Sequence, residues 1–261
     1  MSENRKFSVL MSVYVKENPV FLEEAVESII HQTLKPSEVV IVEDGPLTPE
    51  LYQVLEKLEA QSSIPIKRCP LEQNRGLGLA LQYGVLQCQY DVIARMDTDD
   101  IAVEDRFEQQ FELMEKENLD LLGGHIAEFI DQPDEIVSYR RVPTKHEDII
   151  AYQRMRSAFN HMTVMFKKEM VLKAGNYEDG LYMEDDLLWL NMISAGARTG
   201  NVDQILCKVR VGAGMFERRG GLRYLKLYRQ ARKRMHARGQ ISYGEYLKSV
   251  LIQVVVALCP G

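Results

Sequence analysis

Cysteine is scarce in these 261 residues, tryptophan occurs once, and no signal peptide is evident. No apolar run approaches the roughly 18 to 20 residues that a membrane-spanning helix needs. Cys69, Cys88, Cys207 and Cys259 are scattered, without a C-x-x-C pair and without histidines at metal-ligand spacing. That excludes a disulfide framework and a zinc site, and leaves ordinary thiols, mostly buried. Residues 1–15 contain no apolar h-region followed by a cleavage site, so the start reads as cytoplasmic. Internal repeats and low-complexity linkers are also absent, which predicts one domain over residues 1 to about 215. Acid is what the end of the chain lacks: Arg218 to Gly261 holds ten Lys/Arg against Glu245 alone. With a total of −6, the tail carries +9 and residues 1–217 carry −15, an acidic body with a basic extension.

What is present is a 46% hydrophobic chain, enough for a substantial core. Phe7–Tyr14, Glu38–Glu43, Ile64–Cys69 and Tyr90–Met96 have the length and composition of buried strands. Between them lie helical patterns: Asn18-Pro19 opens one, Leu51, Val54, Leu55 and Leu58 mark a second, and Asn74-Arg75-Gly76-Leu77-Gly78 opens a third. Phe107, Phe111 and Met114 mark a fourth, ending near Asn118. Short connections in such an alternation dictate crossovers in a mainly parallel sheet. The second half is less regular. Gly123–Ile130, Ile136–Val142, His161–Phe166 and Asn201–Val211 read as strands, Thr144–Met155 as a helix, and Leu187–Ile193 as a buried helix closed by Gly196.

The chain is organised around Asp97-Thr98-Asp99-Asp100, three carboxylates in four residues directly after the fourth strand. Like charges about 4 Å apart repel by roughly 4 kcal/mol at an effective dielectric near 20. A cation would relieve this, and a hard divalent ion shared with a diphosphate suits carboxylate ligands. The competing reading is an Asp-rich turn that caps the following helix. In a parallel sheet, ligands bind beyond the carboxyl ends of the strands. Tyr14, Asp44 and Asp97 to Asp100 all lie there. A second acidic triplet, Glu184-Asp185-Asp186, precedes the apolar run Leu187–Ile193, where N-capping is again the competing reading.

Six segments in order, SVLMSVYVKE, SIIHQTLKPSEVVIVEDG, NRGLGLALQYGV, DVIARMDTDDI, HMTVMF and EDDLLWL, resemble the family 2 glycosyltransferases of GT-A fold, the inverting enzymes of bacterial polysaccharide synthesis. The resemblance implies an α/β fold with a Rossmann-like, mainly parallel central sheet flanked by helices, here with a basic helical C-terminal extension. It implies a GT-A domain over 1–215, with a nucleotide-binding half at about 1–100 and an acceptor half at about 101–215, and an amphipathic extension over 216–261. The donor would be a nucleotide-diphosphate sugar, most often a UDP-sugar, bound with Mn²⁺ or Mg²⁺. The acceptor would be a hydroxyl of a glycan or of a lipid-linked glycan.

Carried over by position, Ser12 and Tyr14 would line the nucleotide pocket, Asp44 would hydrogen-bond the donor base, and Arg75 would pair with phosphate oxygens. Asp97 would contact the donor, Asp99 would be the principal metal ligand, and Asp100 a further contact. Asp185 would be the catalytic base, with Glu184 beside it. His161 stands at a position where the family often has histidine, and an acceptor or metal contact competes there with a structural role. Trp189 reads as core, and Glu43 either orients Asp44 or ends its strand. The chain departs from the pattern at Val15, where Asn is frequent, and at Asn191, where Arg is frequent.

Competing functions are a nucleotidyltransferase, which needs no base at Asp185, and a non-catalytic nucleotide-sugar binding protein. No nucleic-acid partner is expected, because the body is acidic and RNA-binding motifs are absent. In the tail, Leu222, Leu225, Tyr228 and Arg232 trace one side of a helix, and Val250–Cys259 is a short apolar run. Together they predict peripheral attachment to the inner face of an anionic membrane. That run is barely closed at Cys259-Pro260-Gly261, which predicts that the natural polypeptide continues.

Overall fold

The computed structural model describes residues 5–179, 183–212 and 221–258. The expectations for Gly180-Leu181-Tyr182, for Arg218 and for Cys259 to Gly261 lie outside these. A nine-stranded sheet runs through the molecule. Its first four strands are β1 (Phe7–Val13), β2 (Glu38–Glu43), β3 (Ile66–Pro70) and β4 (Val92–Arg95). They lie side by side in the order β3-β2-β1-β4, all parallel. The central strand β1 is buried along nearly its whole length, as a strand covered on both faces must be.

Helices fill the crossovers. In α1 (Pro19–Ile30) the Asn18 side chain accepts from Val20 N at 2.9 Å and Pro19 takes the first turn. In α2 (Pro49–Gln61) Thr48 Oγ1 accepts from Leu51 N at 3.3 Å. Both starts follow from the local sequence. With α4 (Arg106–Glu117), which ends at Asn118 in a left-handed conformation (φ 49°), α1 and α2 cover one face of the sheet. On that face Phe7 lies with ring centroids 5.0 Å from both Phe107 and Phe111. The opposite face is covered by α3 (Leu77–Gln87) and by elements of the second half, with Trp189 at its centre beside Phe159, Phe166 and Tyr177. Trp189 is fully buried, as its apolar surroundings predict.

Beyond β4 the sheet changes character. β5 (Ile101–Ala102), β6 (Leu121–Phe129), β7 (Ile136–Arg140), β8 (Met165–Lys167) and β9 (Thr199–Arg210) complete it in the order β4-β8-β6-β9-β5, with β7 on the flank of β6. β8 is antiparallel to β4 and to β6, and β5 antiparallel to β9, whereas β6 and β9 are parallel. The parallel register predicted from the alternation therefore holds in the first half and gives way to mixed pairing in the second. Helices α5 (His146–Gln153), α6 (Lys168–Lys173) and α7 (Glu184–Ser194) pack on this half.

One segment differs from expectation in kind. His161–Phe166 is a 3₁₀ turn (His161–Thr163) followed by the short strand β8, not a continuous strand. The Thr163 hydroxyl donates to Asn160 O at 2.8 Å, closing a local turn that outcompetes extension. The short β5 and α6 were not expected: two residues cannot display a period, and α6 has little more than one turn.

The tail forms a helical hairpin, Gly221–Ala237 and Tyr243–Leu258, on top of α7. Met183, Leu187 and Leu190 share a small core with Ala231, Met235 and Ile241. The buried residues of the first tail helix are thus Ala231, Arg232 and Met235; of the side traced by Leu222, Leu225, Tyr228 and Arg232, Arg232 is buried and Leu222 exposed. Arg232 is covered because Ser249 Oγ accepts from its Nε at 3.0 Å and Arg154 O accepts from its Nη2. Asn191 also serves this junction, accepting from Gln240 Nε2 at 2.7 Å. Cys69, Cys88 and Cys207 are buried and unbridged.

The aromatic cluster on β1 and α4 gives a direct check of this packing. Phe107→Ala is expected to cost about 3–5 kcal/mol, the range for emptying a buried aromatic site. Equilibrium urea unfolding measures it, and a loss below about 1 kcal/mol contradicts the packing described.

Candidate active site

The site is assembled at the carboxyl ends of β1, β2 and β4 and at the N-terminal end of α7. Asp44 follows β2, and its N–H donates to Val13 O at 2.8 Å, which ties it to the end of β1. Its carboxylate is buried. Oδ1 accepts from Arg75 N at 2.6 Å and Oδ2 from Gly76 N at 3.0 Å, while Asn74 Nδ2 donates to Asp44 O. Asp44 therefore fixes the loop before α3, and lone pairs remain on both oxygens for a ligand. The loop approaches so closely that a Cβ on Gly45 would lie 2.6 Å from Asn74 N, and Gly45 has φ +86°. The Arg75 side chain is exposed, and Ser12 and Tyr14 are half-buried along the β1 end. Glu43 neither orients Asp44 nor merely ends its strand. Its Oε1 accepts from Arg68 Nε on β3 at 2.6 Å.

After β4, one carboxylate oxygen from each of Asp97, Asp99 and Asp100 lies within 4.8 Å of the other two. Two buried arginines hold this turn. Arg106, on α4, donates from Nη2 to Arg95 O at 2.7 Å and from Nε to Gln110 Oε1 at 3.0 Å, anchoring the strand end. Arg95 itself is fully buried, forms an ion pair with Asp97, and has no partner for Nε and Nη1 among the described residues. Burial opposes its charge, but Asp97 more than offsets that, so its pKa is raised. On the other side, Asp100 Oδ1 accepts from Arg210 N at 3.0 Å, linking the turn to β9. Burial, then Asp99 and Asp97, pushes the Asp100 carboxyl well above the usual range.

The second acidic triplet is split in its tasks. Asp186 Oδ1 accepts from Gln153 Nε2 at 2.7 Å and so bolts α7 to α5. Asp185 Oδ1 accepts from Asp186 N at 2.8 Å. Burial, followed by Asp186 and Glu184, pushes the Asp185 carboxyl up to about 8. Glu184 is raised mainly by burial, while Arg95 acts in the opposite direction and Asp97 adds to the rise, placing Glu184 within electrostatic reach of the first acidic turn. Nearby, His161 Nε2 and Tyr177 Oη are 2.9 Å apart. Burial and then Arg95 hold His161 well below its usual value, and burial raises Tyr177, so both are neutral at pH 7. A cavity of about 460 Å³ lies elsewhere, between Lys173, Asn176, Asn191 and Arg238. Its cations are engaged internally, Lys173 with Ala195 O at 2.9 Å and Arg238 with Glu178.

The structure thus draws Asp97, Asp99, Asp100, Glu184, Asp185 and His161 into one electrostatic neighbourhood, and places Ser12, Tyr14, Asp44 and Arg75 along the adjoining sheet edge. Sequence reasoning missed Arg95 and Arg106. Arg95 interrupts an apolar strand just before three acids, a visible signal; Arg106 has none, since a helix-start arginine ordinarily faces water. Three carboxylates offering oxygen atoms at this spacing fit a hard divalent cation such as Mg²⁺ or Mn²⁺.

The family model for glycosyl transferase family 2 matches residues 8–175. An uncharacterised glycosyltransferase of Haemophilus influenzae is 47% identical over 222 residues, covering 85% of this chain and 82% of that protein. The UDP-Gal:alpha-D-GlcNAc-diphosphoundecaprenol beta-1,3-galactosyltransferase of Escherichia coli is 36% identical over 256 residues, covering 98% and 92%. Among solved structures, the mannosyltransferase PcManGT of Pyrobaculum calidifontis, in complex with GDP-Man and Mn²⁺, superposes with a TM-score of 0.67 at 15% identity, covering 98% of this chain and 75% of that one. At that identity the likeness concerns the fold.

Close approach of α3 to α7 is what brings the two halves of the site together. A Cβ on Gly78 would lie 2.4 Å from Glu178 O and 3.0 Å from Glu184 Cβ. Gly78→Ala is expected to cost about 1–3 kcal/mol in urea unfolding, the range for overpacking; an unchanged midpoint contradicts this contact.

Proposed function

We propose, because the chain belongs to the family 2 glycosyltransferases, that it catalyses inverting, metal-dependent transfer of a sugar from a nucleotide-diphosphate sugar, a UDP-sugar in the first instance, to a hydroxyl of a glycan or lipid-linked acceptor in cell-surface polysaccharide synthesis. Membership makes it a glycosyltransferase and sets aside nucleotidyl transfer. The single observation that carries the finer reading is the pairing of Asp185, a carboxyl pushed up to about 8, with a separate acidic turn that offers three oxygen ligands. The relative whose name specifies UDP-Gal and a diphosphoundecaprenol-linked acceptor supports the donor and acceptor classes.

In this reading the nucleotide lies along the ends of β1 and β2, between Ser12, Tyr14 and Asp44, with Arg75 free to swing onto phosphate oxygens. Asp44 does two things at once, since its backbone-facing lone pairs hold the Arg75 loop and the others accept from the base. Asp99, with Asp97 and Asp100, would hold the divalent ion. Bound there, such an ion supplies Lewis-acid stabilisation of charge on the departing diphosphate. Asp185 takes the acceptor's proton as the acceptor oxygen attacks the anomeric carbon. The bond from that carbon to the diphosphate oxygen breaks with its electron pair leaving on the diphosphate, and configuration inverts. A base with a pKa near neutrality suits the task, being ionised often enough yet strong enough to accept. Neutral His161 and Tyr177 flank the acceptor side as hydrogen-bonding groups rather than charges. The Asp186–Gln153 bond keeps α7, and therefore Asp185, in register.

Asp185→Asn tests the reading. Transfer is expected to fall by about 10²–10⁴-fold, the usual contribution of a positioned base, while donor binding measured by calorimetry is retained. In the wild type, kcat/KM should rise with pH through a limb near 8 as Asp185 loses its proton. Unchanged turnover in the variant, or a pH profile flat across that limb, refutes the assignment.

A further inference from the structure

We infer that the outer side of the tail hairpin is a docking surface for an anionic lipid bilayer, made by an apolar stripe on Tyr243–Leu258 and a cationic array on Gly221–Ala237. Tyr243, Leu247, Leu251 and Val255 follow one another at four-residue steps, with Ile252 and Val256 beside them, and all six are exposed. Leu251 is 64% and Val255 62% exposed, which is extreme for side chains of this type in a helix that already has a body to pack on. The hairpin's inner side is satisfied: Ala231, Met235 and Ile241 close on α7, and Ser249 accepts from Arg232. The stripe is therefore surplus to folding.

Charge decides what covers it. Arg223, Lys226, Arg229 and Lys233 are exposed and lie within an arc of about 120° on the first tail helix at 100° per residue. None of them has an ion pair among the described residues, whereas Arg234 and Arg238 are engaged by Glu178. Glu245 is the one acid in either helix, and Ser242 N donates to its Oε2 at 2.6 Å. An exposed apolar stripe on one helix of a hairpin and an acid-free cationic face on the other are the two components that an interfacial element offers to anionic headgroups. A second copy packed symmetrically on the same stripe would bring two such arrays together and be repelled. The 16 described residues of this element reach about 24 Å against a hydrocarbon core of about 30 Å. No helix among the described residues is long and apolar enough to cross a membrane. Because the hairpin's other side packs on α7, a bilayer bound here is mechanically joined to the helix that carries Asp185.

Flotation of the full chain with vesicles tests this directly, and all substituted positions are exposed, so the core is left intact. Wild type is expected to float with vesicles of phosphatidylcholine and phosphatidylglycerol in equal parts, less so as salt rises, and poorly with phosphatidylcholine alone. Leu251→Asp combined with Val255→Asp should lower binding at least about tenfold. The triple change Arg223→Glu, Lys226→Glu and Arg229→Glu should do the same on the anionic vesicles. Circular dichroism confirms the fold of each variant, and sedimentation velocity reports its mass. Failure of the wild type to float, wild-type binding by either variant, or a dimer that the double Asp variant converts to monomer each overturns the inference.

Discussion

One buried guanidinium organises the chemistry of this molecule. Arg95 stands at the last residue of β4, with Nε and Nη1 unpartnered among the described residues, just before the acidic turn Asp97 to Asp100. Unpaired donors of a buried charged group are costly, so the surroundings must repay them electrostatically. Asp97 is ion-paired to Arg95, and Asp100 and Glu184 feel its field, while His161 and Tyr177 remain neutral beside it. Burial comes first in pushing Asp100 and Asp185 up, and neighbouring acids add to it, Asp99 and Asp97 at Asp100, and Asp186 and Glu184 at Asp185. In the proposed reaction a divalent ion arriving with a diphosphate would meet a turn rich in carboxylates, and burial together with Asp186 and Glu184 makes Asp185 a stronger base than a solvated carboxylate.

Much of this was legible in the sequence because its signals were periodic or chemically extreme. Buried parallel strands read as continuous apolar runs, Asn18-Pro19 announces a helix start, and two acidic clusters stand out against any background. Other features left weaker traces. β5 is too short to show a pattern. His161 to Thr163 turns because Thr163 bonds back to Asn160, a local competition that apolar composition hides. Asp44 has a second task, holding the Arg75 loop, that becomes evident only when β2 and the start of α3 are neighbours. Arg106 looks like a solvated helix residue until it is found capping the carbonyl of Arg95.

The tail illustrates the same limit from the other side. Composition identified a basic, amphipathic extension, but which residues face inward depended on α7, whose Leu187 and Leu190 select Ala231 and Met235 and leave Leu222 outside. The resulting hairpin has one side committed to the helix of Asp185 and another with apolar and cationic groups unspent. In this account, attachment and catalysis share one element, so a tail variant can alter acceptor chemistry without touching the donor edge.

The account rests on the claim that the acidic turn after β4 is a cation site completed by a nucleoside diphosphate. Electron paramagnetic resonance titration of Mn²⁺, with and without uridine diphosphate, measures this most directly. One ion bound per chain is predicted in the presence of the nucleotide, with affinity at least about tenfold weaker in Asp99→Ala, since one ligand charge is gone. Retention of no Mn²⁺ by the wild type with the nucleotide, or equal affinity in the variant, would contradict it.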